Sequence, residues 1–174
     1  MTPLPRIFDS HDWEPLVETL RNELQEYGGL FNLLGKQQDR IIERQTDAVL
    51  TVTDEIEAQT RTVAALRARR EEQVADLLER AGETQPGSLR VLLPYLPDAV
   101  RPLFEAIMTD INHMVRRNRQ KARQNHLLLS RAMELTEQTL RMLQPENFTR
   151  TYKRSGKVSL ALRPAPTTRY HAVG

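Results

Sequence analysis

From Trp13 onward, apolar side chains recur at Val17, Leu20, Leu24, Tyr27, Phe31 and Leu34, in alternating steps of four and three. That spacing is a heptad seam, one line of residues held against a partner helix. Leu16, Leu30 and Leu33 widen the stripe, as a helix touching two neighbours requires, and the pattern runs on through Gln38 and Ile41. Asp12 is placed to cap this helix, and Pro15 falls in its first turn, where a missing N–H costs nothing. Gly28 and Gly29 interrupt it at about 1 kcal/mol each relative to alanine, which points to a closely approaching neighbour or a slight bend.

Thr46 and Asp47 mark a break. A second helix follows with Val49, Val52, Ile56, Gln59, Val63, Leu66, Arg70, Val74 and Leu77 at similar spacing, and its seam is poorer because Gln59 and Arg70 hold core-like places. Arg80 and then Gly82 form a C-terminal signal. Ser88 caps a short helix that Pro94 and Pro97 stop. Asp98 caps a third long helix whose seam reads Phe104, Met108, Ile111, Val115, Asn118, Ala122, Asn125, Leu129, Ala132, Thr136, Leu140 and Leu143. From Pro145 the periodicity ends.

The expected fold is therefore all-α: an elongated antiparallel bundle of three long helices with one short helix and a flexible C-terminal tail. A loose N-terminal arm covers 1–11, the bundle 12–144 (helices about 12–44, 47–81, 88–94 and 98–143), and a basic tail 145–174. The tail holds six Lys/Arg against one Asp/Glu. Its Phe148, Tyr152, Val158, Leu160 and Leu162 are apolar residues in a polar segment, as in chains that order on a partner.

Composition narrows the function. Aromatics are 5% of the 174 residues, with seven glycines and ten prolines, too little for a sandwich or a doubly wound sheet. No cysteine is present, which excludes disulfides, thiolate metal sites and thiol catalysis. The start of the chain lacks a signal-peptide core, and no apolar run approaches a membrane span, so a cytoplasmic protein without membrane insertion is expected. Net charge is +2, but residues 1–87 sum to −7 and residues 88–174 to +9. Complementary helix faces account for that division, or a basic surface kept for an acidic partner.

Enzymatic signals are thin. There is no phosphate-binding glycine loop, nucleophile elbow or His-Glu-x-x-His pair, and His11, His113, His126 and His171 share no ligand spacing; no enzyme, metal or other cofactor is expected. "RRNRQKAR" (116–123) brings five positive charges, yet no aromatic residue interleaves with them for base stacking. They flank the seam, and the acidic first half supplies carboxylates to meet them. Nucleic acid is thus not the expected partner; a basic-helix nucleic-acid binder and a self-assembling structural coiled-coil protein are the alternatives.

Four stretches together resemble the FlgN family, the flagellar type III export chaperones of bacteria. They are "WEPLVETLRNELQEYGGLFNLLGKQQDRI", "SLRVLLPYLPDAVRPLFEAI", "NRQKARQNHLLLSRAMELTEQTLRML" and "TYKRSG", covering about residues 12–157. Gly28-Gly29 and the basic extension after Gly156 depart from the family pattern. The resemblance implies a chaperone that binds the C-terminal helical segments of hook-associated (hook–filament junction) proteins, prevents their premature assembly and delivers them to the export gate. It also implies that Tyr152, with Gly156, docks on the cytoplasmic domain of that gate. Within this frame Asn118, Ala122 and Asn125 are expected to weaken one stretch of the third helix and pin its register. Leu128, Leu129, Met133, Leu140, Met142, Leu143 and Phe148 are expected to offer the client its groove, methionine suiting adaptable surfaces.

Overall fold

A computed structural model describes residues 8–83 and 87–143 with their side chains, and the backbone of 148–152 and 158–162. The chain divides into two compact units, Met1–Leu128 and Leu129–Gly174. The first contains helix α1 (Ser10–Ile42), helix α2 (Thr46–Arg80), the one-turn helix α3 (Leu89–Leu92) running into a 3-10 turn (Leu93–Tyr95), and the greater part of helix α4 (Arg101–Leu143). The fold is an all-α bundle.

Cross-helix contacts fix the directions. Asp12 meets Arg80, Glu23 meets Arg70, Glu26 meets Gln59 and Gln37 meets Thr53, so residue numbers rise on α1 as they fall on α2, and the two are antiparallel. Asn118 reaches Tyr27 and Asn125 reaches Leu34, so α4 runs with α1 and against α2. This is the up-down-up order that short connections impose on three successive helices.

Both long turns close in the same way. At the end of α2, Gly82 takes φ 84°, its N–H bonds the Glu79 carbonyl and the Glu83 N–H bonds the Leu78 carbonyl, each at 2.9 Å. These two carbonyls at the helix end are satisfied by such a left-handed closure. After α1 the same role falls to Arg44, at φ 57°, with Gln45 N–H on the Arg40 carbonyl at 3.0 Å. An L residue in that conformation costs roughly 1–2 kcal/mol, so glycine is the usual choice; with Arg44 in its place, no glycine signalled the break near Thr46.

The hydrophobic core gathers at one end of this unit. Leu16, Val17 and Leu20 of α1, Val74, Leu77 and Leu78 of α2, Leu89, Leu92 and Leu96 around α3, and Phe104, Ile107 and Ile111 of α4 form one cluster. Trp13 stands edge-on to Phe104, ring centroids 6.4 Å apart. Gly87 admits α3 to this end, since a Cβ there would lie 2.6 Å from Leu78 Cδ1. The prolines at 94 and 97 remove donors from the turn, and Arg101 replaces them, its guanidinium donating to the carbonyls of Leu93, Pro94 and Leu96 at 2.9, 2.9 and 3.0 Å.

Some expectations at the helix starts are corrected. The arm is not loose at its inner end: Phe8 is fully buried in the core, its N–H bonds the Tyr95 carbonyl at 3.3 Å, and Arg80 sits 5.6 Å over its ring. Asp9, not Asp12, takes the N-cap place; Asp12 lies three residues in and accepts the Asp9 N–H at 3.2 Å while pairing with Arg80. Asp98 lies a full turn before α4 and pairs with Arg101 at 2.6 Å rather than capping the helix.

In the second unit α4 continues from Leu129 to Leu143. Beyond it, β1 (Phe148–Tyr152) and β2 (Val158–Leu162) pair antiparallel, with Phe148 opposite Leu162 and Tyr152 opposite Val158. No strand was expected within the tail. Thr149, Thr151, Tyr152 and Val158 are strand-prone, Val158, Leu160 and Leu162 alternate with Ser159 and Ala161, and the intervening sequence holds the turn dipeptide Ser155-Gly156, signals that the basic composition of the tail outweighed.

Candidate functional site

The face that α4 presents to the bundle begins as an ordinary apolar seam. Phe104, Ile107 and Ile111 are buried, and Met108, Leu103 and Val115 pack partly against the same cluster. Further along, the seam positions become amides: Asn118 and Asn125 are 6% and 1% exposed, so these polar side chains are inside the bundle.

Each amide is aimed at the α1 backbone. Asn118 Nδ2 donates to the Tyr27 carbonyl at 2.9 Å, and Asn125 Nδ2 donates to the Leu34 carbonyl at 2.7 Å and to Gln37 Oε1 at 2.9 Å. A helical carbonyl has a second lone pair left after its intrahelical bond, which is what the amides use. Gln37 in turn donates to Thr53 Oγ1 at 3.0 Å, and Thr53 Oγ1 donates to the Val49 carbonyl at 2.7 Å. One chain of hydrogen bonds therefore joins α4, α1 and α2. Among the described residues, no donor meets the Oδ1 atom of either asparagine. The two contacts are seven residues apart on each helix, so sliding either helix by one residue breaks both.

The poor seam of α2 is matched in kind. Arg70 pairs with the buried Glu23 at 2.9 Å, and Gln59 donates to the Glu26 carbonyl at 3.0 Å and to the Glu26 carboxylate. Burial pushes the Glu23 carboxyl above its ordinary value, against the pull of Arg70 and Arg67. Gln59 also explains half of the glycine pair: a Cβ on Gly29 would stand 3.1 Å from its amide nitrogen, whereas around Gly28 there is open space.

The second line of the α4 seam is displaced by one residue from the expected one. Lys121 is half-buried and donates to Gln38 Oε1, while Ala122, assigned to the seam with the asparagines, is exposed. Lysine buries its stem and keeps its ammonium at the edge, a behaviour that its polarity conceals in a sequence. Leu128, at the boundary of the first unit, is half-buried.

In the second unit α4 carries apolar side chains that are open to solvent. Leu129 is half-buried, but Met133 is 64% exposed, Leu140 37%, Met142 82% and Leu143 73%. At 3.6 residues per turn, Leu129, Met133, Leu140 and Leu143 fall within an arc of about 80° on one side of the helix. Leu135, 55% exposed, lies seven residues before Met142 on a second line and was not singled out, although that spacing was in the sequence. Phe148 and Tyr152 are placed here by backbone register alone, at the two ends of β1. Gly156 lies outside the described residues.

Among the described residues, no group of three His, Asp or Glu gathers as a metal site would require. No helix among them is long and apolar enough to cross a membrane. No curated protein and no solved structure matches the chain. The family model for FlgN protein matches residues 13–159, which takes in every described helix of the bundle almost from its first turn. On that match the chain belongs to the FlgN family, and is a flagellar export chaperone.

Proposed function

We propose that this chaperone acts in the cytoplasm and holds the C-terminal helical segments of hook-associated proteins against the open stripe of α4, from Leu129 to Leu143. There it prevents their premature assembly, and Tyr152 with Gly156 then presents the loaded complex to the cytoplasmic domain of the export gate. The observation that supports the client face is the change along a single stripe. It is buried through Asn125, then continues as Met133, Leu140 and Leu143 in the open, at a spacing that an amphipathic client helix matches.

Magnitudes favour reversible capture. Burying four such side chains yields a gross gain of about 6–12 kcal/mol, against an association cost of about 4–15 kcal/mol. The face alone therefore grips loosely enough to release a client, as export demands.

Met133→Glu combined with Leu140→Glu tests the reading. Helicity by circular dichroism should be retained, while co-purification of hook-associated proteins falls at least tenfold. Unchanged capture by the double variant would remove this face from client binding.

A further inference from the structure

We propose that this chain pairs with a second copy of itself by laying the acidic outer strip of α2 along the basic outer strip of α4. Over residues 111–133 α4 carries six Lys/Arg and no Asp/Glu; over residues 46–60 α2 carries four Asp/Glu and no Lys/Arg. Arg116 and Arg123, seven apart, lie on the side of α4 away from the buried Asn118 and Asn125, flanked by Arg119, His126 and Leu127, and all five are exposed. Asp47 and Asp54, also seven apart, occupy the corresponding side of α2, away from the buried Val52 and Val63, flanked by the exposed Leu50 and Glu57.

Neither strip is neutralised within its own bundle, contrary to the expectation that the acidic half meets the α4 cations. Ion pairs among the described residues occupy Arg40, Arg67, Arg70, Arg80, Arg101 and Arg141, and none includes Arg116, Arg119, Arg123, Asp47, Asp54 or Glu57. Each strip also holds an exposed leucine, Leu50 and Leu127, both 62% exposed. A polyphosphate gains nothing from Leu127; a second helix does.

The equal spacing sets the match. With α2 of one copy parallel to α4 of the other, Asp47 meets Arg116, Asp54 meets Arg123, Glu57 meets His126, and Leu127 falls beside Ala58. Within one copy the strips lie at overlapping heights along α1, Thr53 level with Gln37 and the two asparagines level with Tyr27 and Leu34. Each copy thus offers both strips, and two contacts close on a two-fold pair. Exposed ion pairs are individually weak and are screened by salt, so the pairing is concentration-dependent and falls with ionic strength.

Sedimentation velocity on the full chain tests this with two variants, Asp47→Arg/Asp54→Arg and Arg116→Glu/Arg123→Glu. The wild-type chain should shift from monomer to dimer with concentration at low salt and return to monomer at high salt. Each variant alone should dissociate about tenfold more readily or worse, since like charges then face each other. The equimolar mixture should restore the dimer, because each variant supplies the strip that the other lacks; recovery in the mixture also shows that both variants are folded. A wild-type chain that is monomeric throughout, a dimer indifferent to the reversals, or a mixture that stays monomeric overturns the proposal. So does a monomer that co-purifies with nucleic acid until high salt releases it, which would assign the α4 strip to phosphate. The client face plays no part here, and Met133→Glu/Leu140→Glu should dimerise as the wild type does.

Discussion

Asn125 of α4 places its amide nitrogen 2.7 Å from the main-chain oxygen of Leu34, and one heptad earlier Asn118 repeats the contact with Tyr27 at 2.9 Å. The pair is a ruler: it sets which residue of α4 stands beside which residue of α1, in a region where leucines alone would tolerate a slip. Being buried, it also makes that region less apolar than the Phe104 end.

The two asparagines should answer differently to leucine. At 118 the change removes a buried oxygen that no donor among the described residues meets, and a bond to a carbonyl already serving its own helix. Asn118→Leu should raise the unfolding midpoint, by about 1 kcal/mol of stability. At 125 leucine would also strand the buried Gln37 Oε1, so Asn125→Leu should cost about 1–3 kcal/mol. Urea titrations of the single variants check the sign at each site; equal shifts in one direction would remove Gln37 from the account.

What could be read in advance followed from periodicity, and what could not followed from pairing. Three long helices were legible because Val17 to Leu34 and Phe104 to Asn125 keep a seven-residue beat that no turn or strand imitates. Ala122 was placed on the seam and is exposed, while Lys121 was not expected inside, because a sequence shows polarity and not the half-buried stem that lets lysine take a seam position. Phe8 was invisible for another reason: its partner, the Tyr95 carbonyl, belongs to a turn remote in sequence, and a two-proline arm has no period to betray contact. Gln59 and Arg70 looked like faults in α2 because Glu26 and Glu23, which answer them, sit on a different helix. On the candidate face, Met133, Leu140 and Leu143 were legible as a stripe, while spacing alone carries no sign of their exposure.

The glycine pair in α1 gives a prediction within a single turn. Gly28→Ala places a methyl in open space and should stabilise the chain by about 1 kcal/mol, the ordinary helix-propensity difference. Gly29→Ala sets the same methyl 3.1 Å from the Gln59 amide, which is itself engaged with Glu26. The gain there should shrink to nothing or reverse. Thermal melts of both variants separate the cases, and equal stabilisation would show that Gln59 moves aside freely.

Glu23 and Arg70 give the bundle a pH response of a definite sign. Because burial raises the Glu23 carboxyl above its ordinary value of 4.5, the folded chain holds this proton more tightly than the unfolded chain. Stability contributed by Glu23 is then fully present below about the ordinary value and is lost as pH rises through the raised one. Asp12 and Glu71, both lowered by arginine partners, act in the opposite direction but below their own ordinary values of 3.8 and 4.5, outside that window. Melting temperature should accordingly decline as pH rises from about 4.5 toward neutrality, and Glu23→Gln should flatten that part of the profile. Arg70→Ala should do far more damage at neutral pH, about 3–5 kcal/mol, because it leaves a buried carboxylate without its cation. A flat wild-type profile above pH 4.5, or an Arg70→Ala loss no greater than that of Glu23→Gln, would mean that Glu23 reaches water in the folded chain.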